Sequence, residues 1–215
     1  MKLQQPLAVV TPTLDGTVLA VLARTETAFT AGQIARLVVD ASTDGIRKAL
    51  NRLATEGTVD IERAGNAYLY RLNRDHLAAE PIIALARQRD TLLDRLSQAM
   101  QRWSPPPTYA AVFGSAARGE MRSDSDIDLF LVRPDSPGAD WDEQVSDLAI
   151  GASRWTGNDV RPLVLTRADI DTGAAPTDVG TVEPVLAEIV RDAITVIGSP
   201  TWLSRRIAAA RGSHA

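Results

Sequence analysis

Two apolar runs flank a Gly-Ser turn and a pair of aspartates, and this segment constrains the fold more than any other. The first run, residues 109–113, leads into Gly114 and Ser115, and the second begins at Asp126 and Asp128. Both runs have the length and character of buried strands. Side chains two positions apart on a strand project from the same face, so the two carboxylates lie side by side. The segment predicts a strand, a turn, a short helix and a second strand.

The paired carboxylates predict a metal-dependent site. Like charges placed together resist ionising together unless a cation lies between them. Mg²⁺ takes oxygen ligands and commonly keeps open positions for substrate phosphates. At Gly114 and Ser115, free backbone N–H groups at the start of a helix favour an anion. The residues alone therefore indicate phosphoryl or nucleotidyl transfer, with Asp126 and Asp128 as magnesium ligands.

Composition excludes several other chemistries. The chain has no cysteine and only two histidines, which excludes disulfides, thiolate nucleophiles and Cys- or His-rich metal sites. No apolar stretch approaches the roughly 18 residues that a membrane span requires, and the N-terminus lacks an apolar core of signal-peptide length. We expect a cytoplasmic protein with no membrane partner.

Charge and prolines divide the chain. Residues 1–104 carry a net charge of +2, and residues 105–215 carry −6. The division falls at three consecutive prolines, which cannot continue a helix. Residues 81–103 have apolar side chains largely at helical spacing. We therefore expect an N-terminal domain over residues 1–80, a linker helix over 81–104 and a C-terminal domain over 105–215.

The N-terminal half has the pattern of a winged helix-turn-helix. Helical spacing covers residues 14–24, and capping residues Thr30 and Ser42 begin two further helices. Two strand-like runs, 58–63 and 67–72, follow with a hairpin turn between them. The order of elements resembles small bacterial transcription regulators, in which the third helix contacts DNA.

The third predicted helix carries the candidate DNA-binding side chains. Arginine and asparagine are able to recognise base edges, while lysine mainly neutralises phosphate. These residues are Arg47, Lys48, Asn51 and Arg52. Acidic neighbours, Asp44 and Asp60 among them, repel phosphate, so a protein-docking or purely structural face stays an alternative. We expect the apolar stripe of the linker helix to pack within the chain; a homodimer through this helix stays an alternative, because two half-sites require two-fold symmetry.

The C-terminal half resembles a known family. Its pattern Gly-Ser-x-Ala-Arg-Gly, followed by Ser-Asp-x-Asp-Leu, is similar to that of the minimal nucleotidyltransferases of the DNA polymerase beta-like superfamily, over residues 108–198. The resemblance implies an α+β chain whose C-terminal α/β domain contains a mixed sheet. It also implies an NTP substrate and catalytic Mg²⁺ held by Asp126 and Asp128. The implied nucleotide-binding residues are Gly114, Ser115, Arg118 and Ser125.

The position of a third carboxylate separates two functions. Family members commonly carry one on a later strand, where it completes the metal cage and serves as the base. Asp159 is the candidate for this catalytic role, but Arg161 lies nearer the expected position. With Asp159 there, the chain is expected to transfer NMP to a protein or RNA acceptor, as antitoxin-type members do to a partner toxin. With Arg161 there, we expect a transcription regulator or antitoxin-like protein that senses nucleotide with little or no turnover.

Overall fold

The computed structural model describes residues 1–38, 41–174 and 183–212. The chain folds into two compact units, residues 2–90 and residues from 91 onward. This division falls within the segment expected to form the linker helix, rather than at the prolines that follow it.

The N-terminal unit is helical except for one hairpin. After a short 3₁₀ helix, Pro6–Val9, its elements are α1 Leu14–Ala23, α2 Ala31–Leu37, α3 Thr43–Thr55, β1 Val59–Ala64, β2 Ala67–Leu72 and α4 Ala79–Ala86. The predicted capping box is present, because the Thr30 hydroxyl accepts from the Gln33 amide while the Gln33 side chain accepts from the Thr30 amide. The Ser42 hydroxyl caps α3 by accepting from the Gly45 amide at 3.0 Å. The three predicted helices and the hairpin are therefore confirmed as elements.

Helix α3 is amphipathic, and its apolar side enters the core of this unit. Ile46 and Leu50 are fully buried, and Leu53 is nearly so. They join Val18 and Leu22 of α1 in one apolar cluster. The opposite side of α3 carries its charged residues at the surface, as the spacing predicts.

The single helix predicted over residues 81–103 is wrong. The segment forms two helices, α4 and then α5 Gln88–Gln101, separated at Arg87, which leaves helical geometry at φ −95° and ψ 12°. Ala86 is the last residue of the segment that is buried in the N-terminal core. The next buried positions, Leu92 and Leu96, belong to the second unit. The apolar residues of α4 and those of α5 continue one helical spacing, although they are buried in different units. The sequence pattern therefore gives no sign of the break at Arg87.

The C-terminal unit is built around a mixed four-stranded sheet. Its remaining elements are β3 Tyr109–Phe113, α6 Gly114–Arg118, β4 Ile127–Val132, α7 Trp141–Thr156, β5 Val160–Leu165, α8 Arg167–Ala174, α9 Pro184–Asp192, β6 Ile194–Ile197 and α10 Trp202–Gly212. The strand order is β5-β4-β3-β6. Strand β4 pairs parallel to β5, whereas β3 pairs antiparallel to both β4 and β6. The expected α+β class and mixed sheet are confirmed.

Burial follows the strand order. Both central strands are buried almost throughout, whereas β5 is an edge strand that tolerates Pro162. One face of the sheet, including Phe130 and Val132, packs against α8, α9 and α10. The C-terminal segment is held there because Trp202 stacks on Tyr109 with ring centroids 5.6 Å apart. None of the helices in the described residues is long and apolar enough to cross a membrane.

An ion pair between α1 and α3 predicts a pH-dependent contribution to stability. Arg52 donates to both carboxylate oxygens of Asp15, at 3.1 and 2.9 Å. These hydrogen bonds hold the pKa of Asp15 below its ordinary 3.8. A lowered carboxyl pKa stabilises the folded state fully above the unfolded-state pKa, and this stabilisation is lost as pH falls through the folded-state value.

We therefore expect Asp15→Asn to lower the Tm of the N-terminal unit at pH 7 by about 1–3 °C. The difference from the parent protein should shrink below about pH 4. Thermal unfolding from pH 7 to pH 2.5 measures it. Glu26→Gln is the control, because the Glu26 carboxylate lies 4.0 Å from Arg74. A Tm difference that persists at pH 2.5 would contradict the assignment.

Candidate functional site

Gly114 and Asp128 are packed against each other. Antiparallel pairing of β3 with β4 places Phe113 opposite Asp128, and Gly114 follows directly with φ +67°. A Cβ atom added at Gly114 would lie 2.2 Å from Oδ2 of Asp128, a distance at which atoms overlap. Only glycine fits both the left-handed backbone and this close approach. The Gly-Ser turn and the aspartate strand therefore form one local structure.

The carboxylates of Asp126 and Asp128 at this turn repel each other. Asp126 directly precedes β4, and Asp128 is the second residue of that strand. Burial raises the pKa of Asp128, and the negative charges of Asp126 and Glu188 raise it further. Arg161 and Arg118 act in the opposite direction without cancelling this effect. A bound cation would relieve the repulsion.

Arg161 is the side chain that β5 places beside the paired aspartates. Parallel pairing sets Arg161 in register with Asp128. Its Nη1 atom lies 2.7 Å from Oδ2 of Asp126. Asp159 lies just before β5, where its carbonyl accepts from the Ile127 amide at 2.8 Å. Its carboxylate accepts from Nε of Arg161 at 3.3 Å, and its side chain is 63% exposed.

The site offers two carboxylates of the type that binds a divalent ion. The Asp126 and Asp128 carboxylates are hard oxygen ligands that repel one another, as magnesium ligands do. Across the part of the chain that the structure describes, no three Asp, Glu, His or Cys side chains are grouped to hold a metal. Beside these two carboxylates, the neighbouring strand presents the Arg161 guanidinium.

Arg118, predicted to bind nucleotide, is engaged by three carboxylates. It donates to Glu120 at 2.9 Å and to Glu188 of α9, and it lies 3.7 Å from Asp192. Hydrogen bonds to Glu120 and Glu188 raise the pKa of Arg118 above its ordinary value. Arg118 therefore fastens α6 to α9. Sequence reasoning missed Glu188 and Asp192, although their spacing of four on an amphipathic helix was a usable signal.

The two predicted serines occupy turn positions near the aspartates. The carbonyl of Ser115, in the first turn of α6, accepts from the Glu120 amide at 2.9 Å. The Ser125 hydroxyl accepts from the Arg122 amide at 2.8 Å, which closes the turn before Asp126. The Ser125 carbonyl accepts from the side chain of buried Asn158 at 2.8 Å. Sequence reasoning missed Asn158, which links this turn to the start of β5.

The predicted DNA-binding residues lie exposed on α3, but acidic groups partly neutralise them. Arg47 and Lys48 lie 3.8 and 3.0 Å from the Asp44 carboxylate. Arg52 is held by both oxygens of Asp15, as described above. Asn51 is exposed on the same helix. Asp44, the partner of Arg47 and Lys48, is 64% exposed, whereas Asp15, the partner of Arg52, is 21% exposed.

Residues 93–173 match a nucleotidyltransferase domain family. This span contains the Gly-Ser turn, both aspartates and the start of β5. No curated protein matches the chain. Two solved structures are similar, each over 55% of this chain and 82% of the other. One is a toxin–antitoxin complex with AMP-PNP, at 14% identity and a TM-score of 0.38. The other is a mutant of the toxin–antitoxin MntA-HpeT, at 12% identity and a TM-score of 0.37.

The contact between Gly114 and Asp128 predicts an unequal response to alanine at two glycines. Gly157 has nearly the same φ as Gly114, +71° against +67°, but nothing lies within 4 Å of an added Cβ atom there. Gly157→Ala should cost about 1–2 kcal/mol of unfolding free energy, from backbone strain alone. Gly114→Ala should cost about 1–3 kcal/mol more, because Asp128 is displaced.

Denaturant unfolding of the two variants measures this difference. A second measurement isolates the contact: in an Asp128→Ala background, Gly114→Ala should cost no more than Gly157→Ala. Equal losses for the two single variants would show that the Asp128 carboxylate does not rest on Gly114.

Proposed function

We propose that the protein binds a magnesium–NTP complex at Gly114, Ser115, Asp126 and Asp128 and transfers the nucleoside monophosphate to a macromolecular acceptor. The packing of Gly114 against the Asp128 carboxylate carries this proposal. It brings a phosphate-binding type of turn and a metal-binding type of carboxylate together, inside the span that matches a nucleotidyltransferase domain.

Each residue has a defined part in the proposed reaction. Asp126 and Asp128 would hold the magnesium ion, which when bound neutralises the triphosphate and the departing pyrophosphate. Gly114 lets the backbone approach a phosphate closely, and the adjacent Ser115 offers donor groups. Ser125 fixes the turn that leads into Asp126. Arg118 contributes positive charge from α6, although it is shared with Glu120 and Glu188.

The acceptor hydroxyl would attack the α-phosphorus in line with the leaving group. The new bond joins the acceptor oxygen to phosphorus, the bond to the bridging oxygen breaks, and pyrophosphate leaves. A carboxylate takes the hydroxyl proton, and Asp159 is the proposed base. Its side chain is exposed, so a large acceptor can reach it. A protein side chain or an RNA end satisfies this geometry.

A nucleotide sensor with little turnover is the second candidate function, and the position of Arg161 favours it. Arg161 rather than a carboxylate is in register with Asp128 and contacts Asp126. A site with two carboxylates would still bind nucleotide. The chemical step, however, would lack the metal ion that a third carboxylate helps to hold. In this role the chain would act as a regulator or an antitoxin-like protein whose output depends on bound NTP.

The N-terminal unit would direct either activity to DNA as a winged helix-turn-helix. Support comes from the order of elements, three helices followed by the β1–β2 hairpin, and from the exposed basic side chains of α3. Arg47 and Lys48 are the proposed phosphate contacts, and Asn51 is the proposed base contact. Arg52 acts more as a bridge to α1, since Asp15 holds it. A homodimer would supply the two-fold symmetry of paired half-sites.

A transfer assay tests the proposed enzyme. The protein is incubated with each α-labelled NTP, magnesium and cell lysate, and label on protein or RNA is measured. Asp126→Ala/Asp128→Ala should reduce transfer at least about 100-fold, because the site loses its metal ligands. Asp124→Ala, an exposed acidic neighbour in the same loop, should retain transfer.

An NTP-binding measurement on the same proteins, added to the transfer assay, separates the two candidate functions. Binding of an NTP that depends on Asp126 and Asp128, with no transfer from any of the four nucleotides, supports the sensor. Absence of both NTP binding and transfer would refute the proposed nucleotide site. If the double variant transfers label as well as the parent protein does, the reaction takes place at a different site.

The DNA interface predicts a change in salt dependence. Arg47→Ala/Lys48→Ala should weaken binding to promoter fragments and reduce the slope of log K against log salt by about 2, one for each phosphate contact. Fluorescence anisotropy at several salt concentrations measures both quantities. Arg24→Ala, an exposed cation at the end of α1, is the control and should leave the slope unchanged. An unchanged slope in the double variant would favour a protein-docking face.

A further inference from the structure

We propose that Arg161 is the built-in cation of the triphosphate site and replaces the second divalent ion that a third carboxylate would hold. This inference rests on the nucleotide binding proposed above, which both candidate functions share. It assigns the site one metal ion, together with one guanidinium that exchanges between Asp126 and the triphosphate.

The sheet register places Arg161 in the metal-facing position. Register partners on parallel neighbours project from the same face, so Arg161 shares a face with Asp128. Its Nη1 atom lies 2.7 Å from Asp126, and its Nε atom lies 3.3 Å from Asp159. The guanidinium therefore lies between carboxylates from the starts of two adjacent strands.

A guanidinium at this position has a fixed electrostatic effect. Arginine stays protonated at every pH that proteins tolerate and offers no lone pair, so it cannot ligate a metal. It repels a cation that approaches Asp126, whereas a carboxylate there would attract one. The aspartate pair is thus left with room for one divalent ion. The Arg161 guanidinium supplies the positive charge that a second ion would otherwise bring.

Arg161 is also accessible to a ligand. Its side chain is 64% exposed, against 30% for Asp126, and it extends from an edge strand on a flexible stem. The planar fork of arginine matches phosphate oxygens in bidentate geometry. When a divalent ion takes the oxygen of Asp126, the released guanidinium is placed to bind the triphosphate. Removal of Arg161 should therefore strengthen metal binding and weaken phosphate binding.

Two probes measure these opposite effects without turnover. Mn²⁺ binding is followed by the EPR signal of the free ion, and inorganic triphosphate binding by calorimetry, which avoids the unknown base. We expect Arg161→Ala to bind Mn²⁺ about two- to fivefold more tightly, the range of an exposed ion pair. We expect it to bind triphosphate about tenfold more weakly, through loss of a charge-assisted hydrogen bond.

Arg161→Asp should bind two Mn²⁺ ions in the presence of triphosphate, where the parent protein binds one. Arg167→Ala is the matched control, because Arg167 pairs with Asp135 at 2.9 Å in the same unit, and both affinities should stay unchanged. Circular dichroism and Tm confirm that each variant is folded.

Unchanged or weaker Mn²⁺ binding in Arg161→Ala would overturn the proposal, as would unchanged triphosphate binding. Two Mn²⁺ ions in the parent protein would overturn it as well. The nucleotide site itself is checked by Asp126→Asn/Asp128→Asn. The double variant should lose the Mn²⁺ and triphosphate binding of the parent protein. If the parent protein binds neither ligand, or if the double variant binds both equally well, the proposed function fails, and the role of Arg161 fails with it.

Discussion

The close approach of the Gly114 backbone to the Asp128 carboxylate is the constraint on which the site depends. The β3–β4 register sets Phe113 opposite Asp128, and the chain turns at the next residue, Gly114, with a positive φ. The carboxylate then rests on a bare Cα atom and is partly removed from water. A partly buried charge is costly unless other charges compensate it. Arg161 and Arg118 offset part of this cost, because their positive charges lower the pKa of Asp128 without cancelling the effect of burial.

Two arginines approach the carboxylates from different elements, and they are held differently. Arg118 of α6 is fixed by carboxylates of α9, among them Asp192, whose side chain is only 18% exposed. Arg161 of β5 is mostly exposed and lies beside the carboxylates of Asp126 and Asp159. Arg118 therefore joins α6 to α9. Arg161 is the cation that we propose changes partners when a ligand binds.

Local patterns predicted much of this architecture, and pairings between distant residues were beyond them. The Thr30 capping box, the hairpin and the aspartate strand each depend on residues a few positions apart, so their sequence determines them. The choice between Asp159 and Arg161 depends on the β4–β5 register, which joins residues more than 30 positions apart. The contact of Arg52 with Asp15 likewise spans 37 positions, and no local pattern indicates it.

The same register also links the two candidate functions. Asp159 accepts a hydrogen bond from Arg161, so the proposed base and the proposed cation are engaged with each other. A guanidinium that turns to the triphosphate releases the Asp159 carboxylate at the moment nucleotide binds. Nucleotide sensing then requires only the movement of Arg161, whereas transfer also requires an acceptor hydroxyl within reach of Asp159. Sensor and enzyme would thus share the response of Arg161 to the triphosphate, and the enzyme would need in addition a base, proposed as Asp159, and a positioned acceptor.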